Sequence, residues 1–156
     1  IITASALMDL VSAEFIDALI DRISARKTAV YCALNYDGTT HWTPAHPLDE
    51  KILAAFNQDQ RKDKGFGPAL GPDCTSHLTK TLENKGYAVT IAQSPWQLSA
   101  NDAQLLEELI NGIAAAVNEG YGLEANEINE WKHFRITNIE KGNCTIGHYD
   151  LLALPC

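Results

Sequence analysis

The chain has 156 residues, 46% of them hydrophobic and 21% charged, with a formal net charge of −8. This is the balance of one ordinary globular domain and excludes a disordered or fibrous chain. A net-acidic surface without Lys/Arg clusters interleaved with aromatics disfavours nucleic-acid binding. No apolar run reaches the about 18 residues of a membrane span. The N-terminal stretch also lacks the basic n-region of a signal peptide, so the expectation is a cytoplasmic protein with no membrane association.

In chain order, Ile1 to Ser12 (IITASALMDLVS) reads as a strand, a tight turn and a helix start. Ile1 and Ile2 form a buried-strand run, Ala4, Ser5 and Ala6 are small enough for a backbone to pass close to a ligand, and Ser12 can cap the helix that follows. A strand that ends in small residues and feeds a helix is half of a parallel βαβ unit. Ligands bind at the carboxyl ends of such strands. Phe15, Ile16, Leu19, Ile20 and Ile23 then recur at helical spacing, predicting a helix that ends near Lys27. Thr28 to Leu34 is a continuous apolar run, as in a strand buried on both faces. Asn35, Tyr36, Asp37 and Gly38 are expected to end it in a turn.

His41 to Pro47 reads as an extended connector, because residues before proline are biased away from helix. A helix is predicted from Asp49 to Arg61, with Leu48, Ile52, Leu53 and Phe56 inward. Gln60 to Pro72 is a shaped glycine-proline loop, and Pro72 opens a helix running to Lys85 with Gly86 as its stop. Tyr87, Val89 and Ile91 alternate as a strand, and Ser94-Pro95-Trp96 marks a loop. Ser99 is an N-cap candidate with Asp102 behind it, ahead of an apolar stripe from Leu105 to Val117 that Gly120 and Gly122 end. A further helix is expected from Glu124 to Ile139 and a last strand from Cys144 to Leu154. The order β-α-β-α-α-β-α-α-β is most economically one α/β domain over residues 1–156.

The residues offer little conventional catalytic chemistry. Gly65, Gly67 and Gly71 follow a helix, not a strand, and lack the spacing of a dinucleotide loop. Neither a phosphate-binding P-loop nor the G-x-S-x-G elbow is present. The pairs Cys74/His77 and Cys144/His148 have metal-like spacing, but neither announces a third and fourth ligand, so no metal is expected. Cys32, Cys74, Cys144 and Cys156 read as reduced thiols, with Cys32 acting as a small hydrophobe. Asp9 either orders the opening turn by accepting backbone hydrogen bonds or is a solvated charge entering the helix. His148 is either a neutral histidine bonded inside the sheet or an acid/base group. Trp96 and Trp131 read as packing anchors. Tyr36 and Asp37, at a strand end, are the better site candidates.

Several segments resemble the C-terminal part of class I S-adenosylmethionine-dependent methyltransferases, in a bacterial branch. The similarity is carried by Ile2 to Ser12, by Asp63 to Pro72, by Ser94-Pro95-Trp96 and by Gly147-His148-Tyr149-Asp150-Leu151-Leu152. The resemblance implies a Rossmann-like sheet of strand order 3-2-1-4-5-7-6, of which this chain supplies strands four, five, six and seven with flanking helices, the strand formed last running antiparallel. The family's glycine-rich loop and the acidic residue that ends its second strand have no counterpart here, so the isolated chain is expected to be inactive. Asp9-Leu10 stands where related quinone-biosynthesis enzymes carry Glu-His. By resemblance Ala4, Ser5 and Leu7 border S-adenosylmethionine. Asn35, Tyr36, Asn57, Lys64 and Phe66 are the acceptor-side candidates for a small-molecule methyl acceptor, and no catalytic residue is assigned. The rival expectation is a non-enzymatic α/β interaction module that pairs through its N-terminal edge strand, as a homodimer does, because an exposed apolar edge is normally covered.

Overall fold

The structure, a computed structural model, describes residues 1–117 and 121–156. Among these residues the order is β1 (Ile2–Ser5), α1 (Ala13–Ser24), β2 (Val30–Thr43), α2 (Asp49–Asp59), α3 (Cys74–Asn84), β3 (Tyr87–Gln93), β4 (Trp96–Leu98), α4 (Ala103–Ala116), α5 (Ala125–Thr137) and β5 (Asn143–Pro155). Single 3-10 turns lie at Met8–Leu10, Gly71–Asp73 and Ala100–Asp102. The fold is mixed α/β. The strands are hydrogen-bonded in the order β1-β2-β5-β3, with β4 also against β5. β1 and β2 are parallel, in a register running from Ile2 opposite Val30 to Ser5 opposite Ala33. β3 is antiparallel to β5, from Tyr87 opposite Pro155 to Gln93 opposite Tyr149. β4 is antiparallel to β5 as well. Among the described residues no helix is long and apolar enough to cross a membrane.

The chain gathers into two compact units. The first comprises Ile1–Gly38, Gln60–Pro95 and Gly147–Cys156. Its core joins Ile16, Ile20 and Ile23 of α1 and Leu78 and Leu82 of α3 to Val30 and Cys32 of β2 and Leu151 and Ala153 of β5. The stripe of α1 thus does what its spacing predicts, and Ser12 caps it, accepting from the Phe15 N–H at 3.2 Å. Two local expectations need correction. α1 stops at Ser24, short of Lys27, because Lys27 takes a left-handed φ of 48° and closes a turn onto the Ser24 carbonyl at 3.0 Å. Phe15 is exposed, not inward, with its ring edge-on to Phe66 at 5.5 Å.

The larger correction concerns β2, which does not turn at Asn35–Gly38 but continues to Thr43. Leu34 adopts a left-handed φ of 55°, and its N–H is held by the Asp150 carboxylate at 2.9 Å. The Asn35 side-chain amide donates to the Cys32 carbonyl at 3.2 Å and the Tyr149 carbonyl at 3.0 Å. Polar residues that elsewhere stop a strand here satisfy a kink inside one.

The second unit comprises Thr39–Asp59 and Trp96–Ile146. Ile52 and Ala55 of α2, Ile110 and Ile113 of α4, and Ile128 and Trp131 of α5 form its core. The Ser99–Asp102 signal is a true capping box, with the Ser99 N–H donating to Asp102 Oδ2 at 2.9 Å. Trp131 is fully buried, as a packing anchor should be. Trp96 is not, since it is exposed and begins β4, a strand where a loop was expected. Of the two glycines expected to end α4, Gly120 lies outside the described residues, and Gly122 has a left-handed φ of 71°. Gly142 is required by contact: a Cβ there would collide with the Thr43 carbonyl oxygen.

Candidate functional site

At its carboxyl end β1 leaves small side chains in the open. Ala4 is half-buried, while Ser5, Ala6 and Leu7 are exposed. Ala6 takes a left-handed φ of 48°, yet its N–H still reaches the Ala33 carbonyl at 3.0 Å. The chain then coils into the 3-10 turn and drives Asp9 inward, to 7% exposure. Burial raises the Asp9 carboxyl above its ordinary value, while the backbone N–H groups of Asp9 and Tyr36 and the nearby His148 draw it back down. This excludes the solvated-charge reading of Asp9 and supports the turn-ordering one. Its Oδ1 has no hydrogen-bond partner.

The kinked part of β2 supplies the neighbours. Asn35 and Tyr36 are both buried, and the Tyr36 ring meets the buried His148 ring edge-on at 6.1 Å. The second side-chain atom of Asn35, Oδ1, is again buried without a partner. Two residues along β5, Asp150 accepts from the Tyr31 hydroxyl at 2.6 Å, the Leu34 N–H at 2.9 Å and the Ser94 hydroxyl at 2.6 Å. Burial pushes the Asp150 carboxyl up, but these donors outweigh it and hold the group below its ordinary value. Asp150 is thus a saturated brace for the kink, whereas Asp9 and Asn35 retain acceptor capacity.

The sequence candidates distribute unevenly. Ala4, Ser5 and Leu7 are contiguous at the end of β1, and Asn35 and Tyr36 join Asp9 and His148. Lys64 and Phe66 lie in the loop after α2, where the Gly65 N–H is held by the Asp63 carboxylate at 2.7 Å. That loop is tied back to the segment following β1, because the Ser12 N–H donates to the Phe66 carbonyl at 3.3 Å and the Leu70 N–H to the Val11 carbonyl at 3.0 Å. Gly67 permits the approach, since a Cβ would lie 3.1 Å from Ser12 Cβ. Asn57 belongs to α2 in the second unit.

Nucleophilic and metal chemistry find no support in these side chains. Burial pushes the Cys32 thiol up to about 11, raises Cys74 further, and takes Cys144 to about 12. All three therefore stay protonated and unreactive near neutrality. His77 does not face Cys74 as a ligand partner would but bonds Asp17 Oδ1 at 2.8 Å. Among the described residues no group of three His, Cys, Asp or Glu side chains could hold a metal ion.

Sequence reasoning missed the roles of Asp150, Tyr31 and Ser94. The available signal was a carboxylate directly before the apolar run Leu151-Leu152-Ala153-Leu154, which must find donors where the strand carries it partly out of water. No protein-family model matches the chain, and no curated protein is significantly similar to it.

Proposed function

We propose that this chain is the part of a class I S-adenosylmethionine-dependent methyltransferase that carries strands four to seven, and that the enzyme acts on a small molecule. The observation that carries the reading is the strand order β1-β2-β5-β3, with the strand formed last inserted between β2 and β3 and antiparallel to β3. A run of 4-5-7-6 in the family's sheet has this order. The open end of β1 fits the cofactor: small residues allow close backbone approach, and exposed Leu7 offers an apolar contact to a ring. In this reading Ala4, Ser5 and Leu7 border S-adenosylmethionine, while Asn35, Tyr36, Lys64 and Phe66 belong to the acceptor side.

When bound, the cofactor supplies a methyl group activated by its sulfonium. Displacement at that carbon needs alignment and exclusion of water more than covalent help, which agrees with a site that has no reactive thiol. The buried Asp9, Tyr36 and His148 fix the turn and kink on which the bordering residues stand. Isothermal titration with S-adenosylmethionine tests the reading. The full-length translation product should bind saturably, Leu7→Asp should weaken that binding, and the 156-residue chain alone should show none. No binding by the full-length product would overturn it.

One observation favours the rival reading, an interaction module. β1 lies at the end of the strand order, with β2 as its hydrogen-bonded neighbour, and such an edge can accept another strand. Light scattering separates the two. A tight dimer broken by Thr3→Pro supports edge pairing, and a monomer at high concentration argues against it.

A further inference from the structure

In the first unit, α3 and three strands line a groove with a volume of about 540 Å³, within the range of about 300–1,000 Å³ typical of small-molecule sites. One wall is the flank of α3, with Thr75, Thr79 and Glu83 at helical spacing and Lys80 beside them. The other wall is Asp37 of β2, Ile91 of β3 and Tyr149 of β5.

Two features of these walls call for a ligand. Thr75 is 7% exposed, and its Oγ1 has no hydrogen-bond partner. One turn later the Thr79 hydroxyl donates to the Thr75 carbonyl at 2.7 Å, the usual way a helical threonine is satisfied. Thr75 makes no such bond, and a buried hydroxyl without a partner is costly. Across the groove Ile91 is 42% exposed, leaving apolar surface beside the free volume.

Charge narrows the ligand class. Lys80 and Glu83 are close enough along one helix to pair, yet neither side chain has an ion-pair partner among the described residues. Elsewhere the chain pairs Lys51, Arg61 and Lys85 with carboxylates. Asp37 also lines the groove but already interacts within the chain, so the groove offers the Glu83 carboxylate and the Lys80 ammonium. An anionic ligand would meet the Glu83 carboxylate, and a purely cationic one would leave Lys80 unopposed. We propose that the groove binds a zwitterionic small molecule of the amino-acid type, with its carboxylate beside Lys80, its ammonium towards Glu83, and its apolar body on Ile91 and Tyr149. A turn of the Thr75 side chain towards the groove would give its hydroxyl a partner in the ligand's polar group. The site stands independently of the methyltransferase reading.

The test is an NMR titration of the isotopically labelled protein with L-phenylalanine, phenethylamine and 3-phenylpropionate, which share one hydrocarbon body and differ in charge. Phenylalanine should bind about tenfold or more tightly than either single-charge analogue, with amide shifts at Thr75, Thr79, Ile91 and Tyr149. Lys80→Gln, an exposed substitution, should reduce phenylalanine to the level of phenethylamine without weakening phenethylamine itself. Thr75→Val should weaken phenylalanine while the far-UV circular dichroism is unchanged, and if that variant does not fold, Lys80→Gln decides. Equal affinity for the three compounds, or no saturable shift at these residues with any of them, overturns the proposal. S-adenosylmethionine binding by the full-length protein bears on the proposed function alone, so the two can fail separately.

Discussion

The two compact units bury charge in contrasting ways. In the second, Arg135 is 3% exposed and is surrounded by partners. Its guanidinium donates to Asp49 and to the Pro44 carbonyl and lies over the rings of Trp42, Trp131 and Phe134. Asp49 also accepts from the Trp131 indole at 2.8 Å and the His46 N–H at 2.8 Å. Only the Arg135 Nε is left over. In the first unit, Asp9, Asn35 and Thr75 each keep a buried polar atom without a partner. A buried group that serves structure is saturated, because the unmade bond is expensive. The unpaired groups of the first unit gather around one strand end and one helix flank, the two places proposed above to meet a ligand.

The largest expected effect comes from breaking the saturated side of this contrast. Asp49→Ala strands the Arg135 guanidinium, and removing one partner of a buried ion pair costs about 3–5 kcal/mol. Urea denaturation should show this as a lowered midpoint with an unchanged slope. Gly142→Ala pushes a methyl group into the Thr43 carbonyl oxygen. Overpacking of this kind costs about 1–3 kcal/mol, and the same measurement reads it.

Asp150→Asn sharpens the comparison within the first unit, because Asp150 is the saturated carboxylate there. Losing the charge that three donors serve should cost about 2 kcal/mol at neutral pH. The Asp150 carboxyl is held below its ordinary value. Its stabilisation is therefore present above the unfolded-state value and is lost as pH falls through the folded one. Melting temperatures of the variant and the parent should converge in acid.

The smallest effect has the opposite sign. The Asp9 carboxyl is raised by burial, so the folded state holds its proton more tightly than the unfolded chain does. Stability therefore falls as pH rises from the ordinary carboxylate value through the raised one. Asp9→Asn should be more stable than the parent above that window, by on the order of 1 kcal/mol, and equal to it below. A variant less stable at neutral pH would show that Asp9 is bonded as fully as Asp150, and the contrast would fail.

Much of the fold was legible because its signals are local. The stripe of α1, the Ser12 cap, the Ser99–Asp102 box and the Tyr87–Gln93 strand all depend on residues within a few positions of one another. What was missed depends on distant partners. Asn35-Tyr36-Asp37-Gly38 has turn composition, but the carboxylate that holds the kink, Asp150, lies 116 residues away from Leu34 in sequence. Trp96–Leu98 is too short to show alternation and is a strand only because β5 lies beside it. At the candidate site, the small residues from Ala4 to Ala6 stand half-buried or exposed at the end of β1. The burial of Asp9 did not show, since nothing in Met8-Asp9-Leu10 reveals that the Tyr36 backbone bonds it and that His148 lies near.

The most direct test of the claim that the open end of β1 is a cofactor wall is a site-resolved one. Amide NMR of the full-length translation product, titrated with S-adenosylmethionine, should show saturable shifts at Ala4, Ser5, Ala6 and Leu7 that share one binding curve. Binding that saturates without moving those four amides, or no binding at all, would contradict the account.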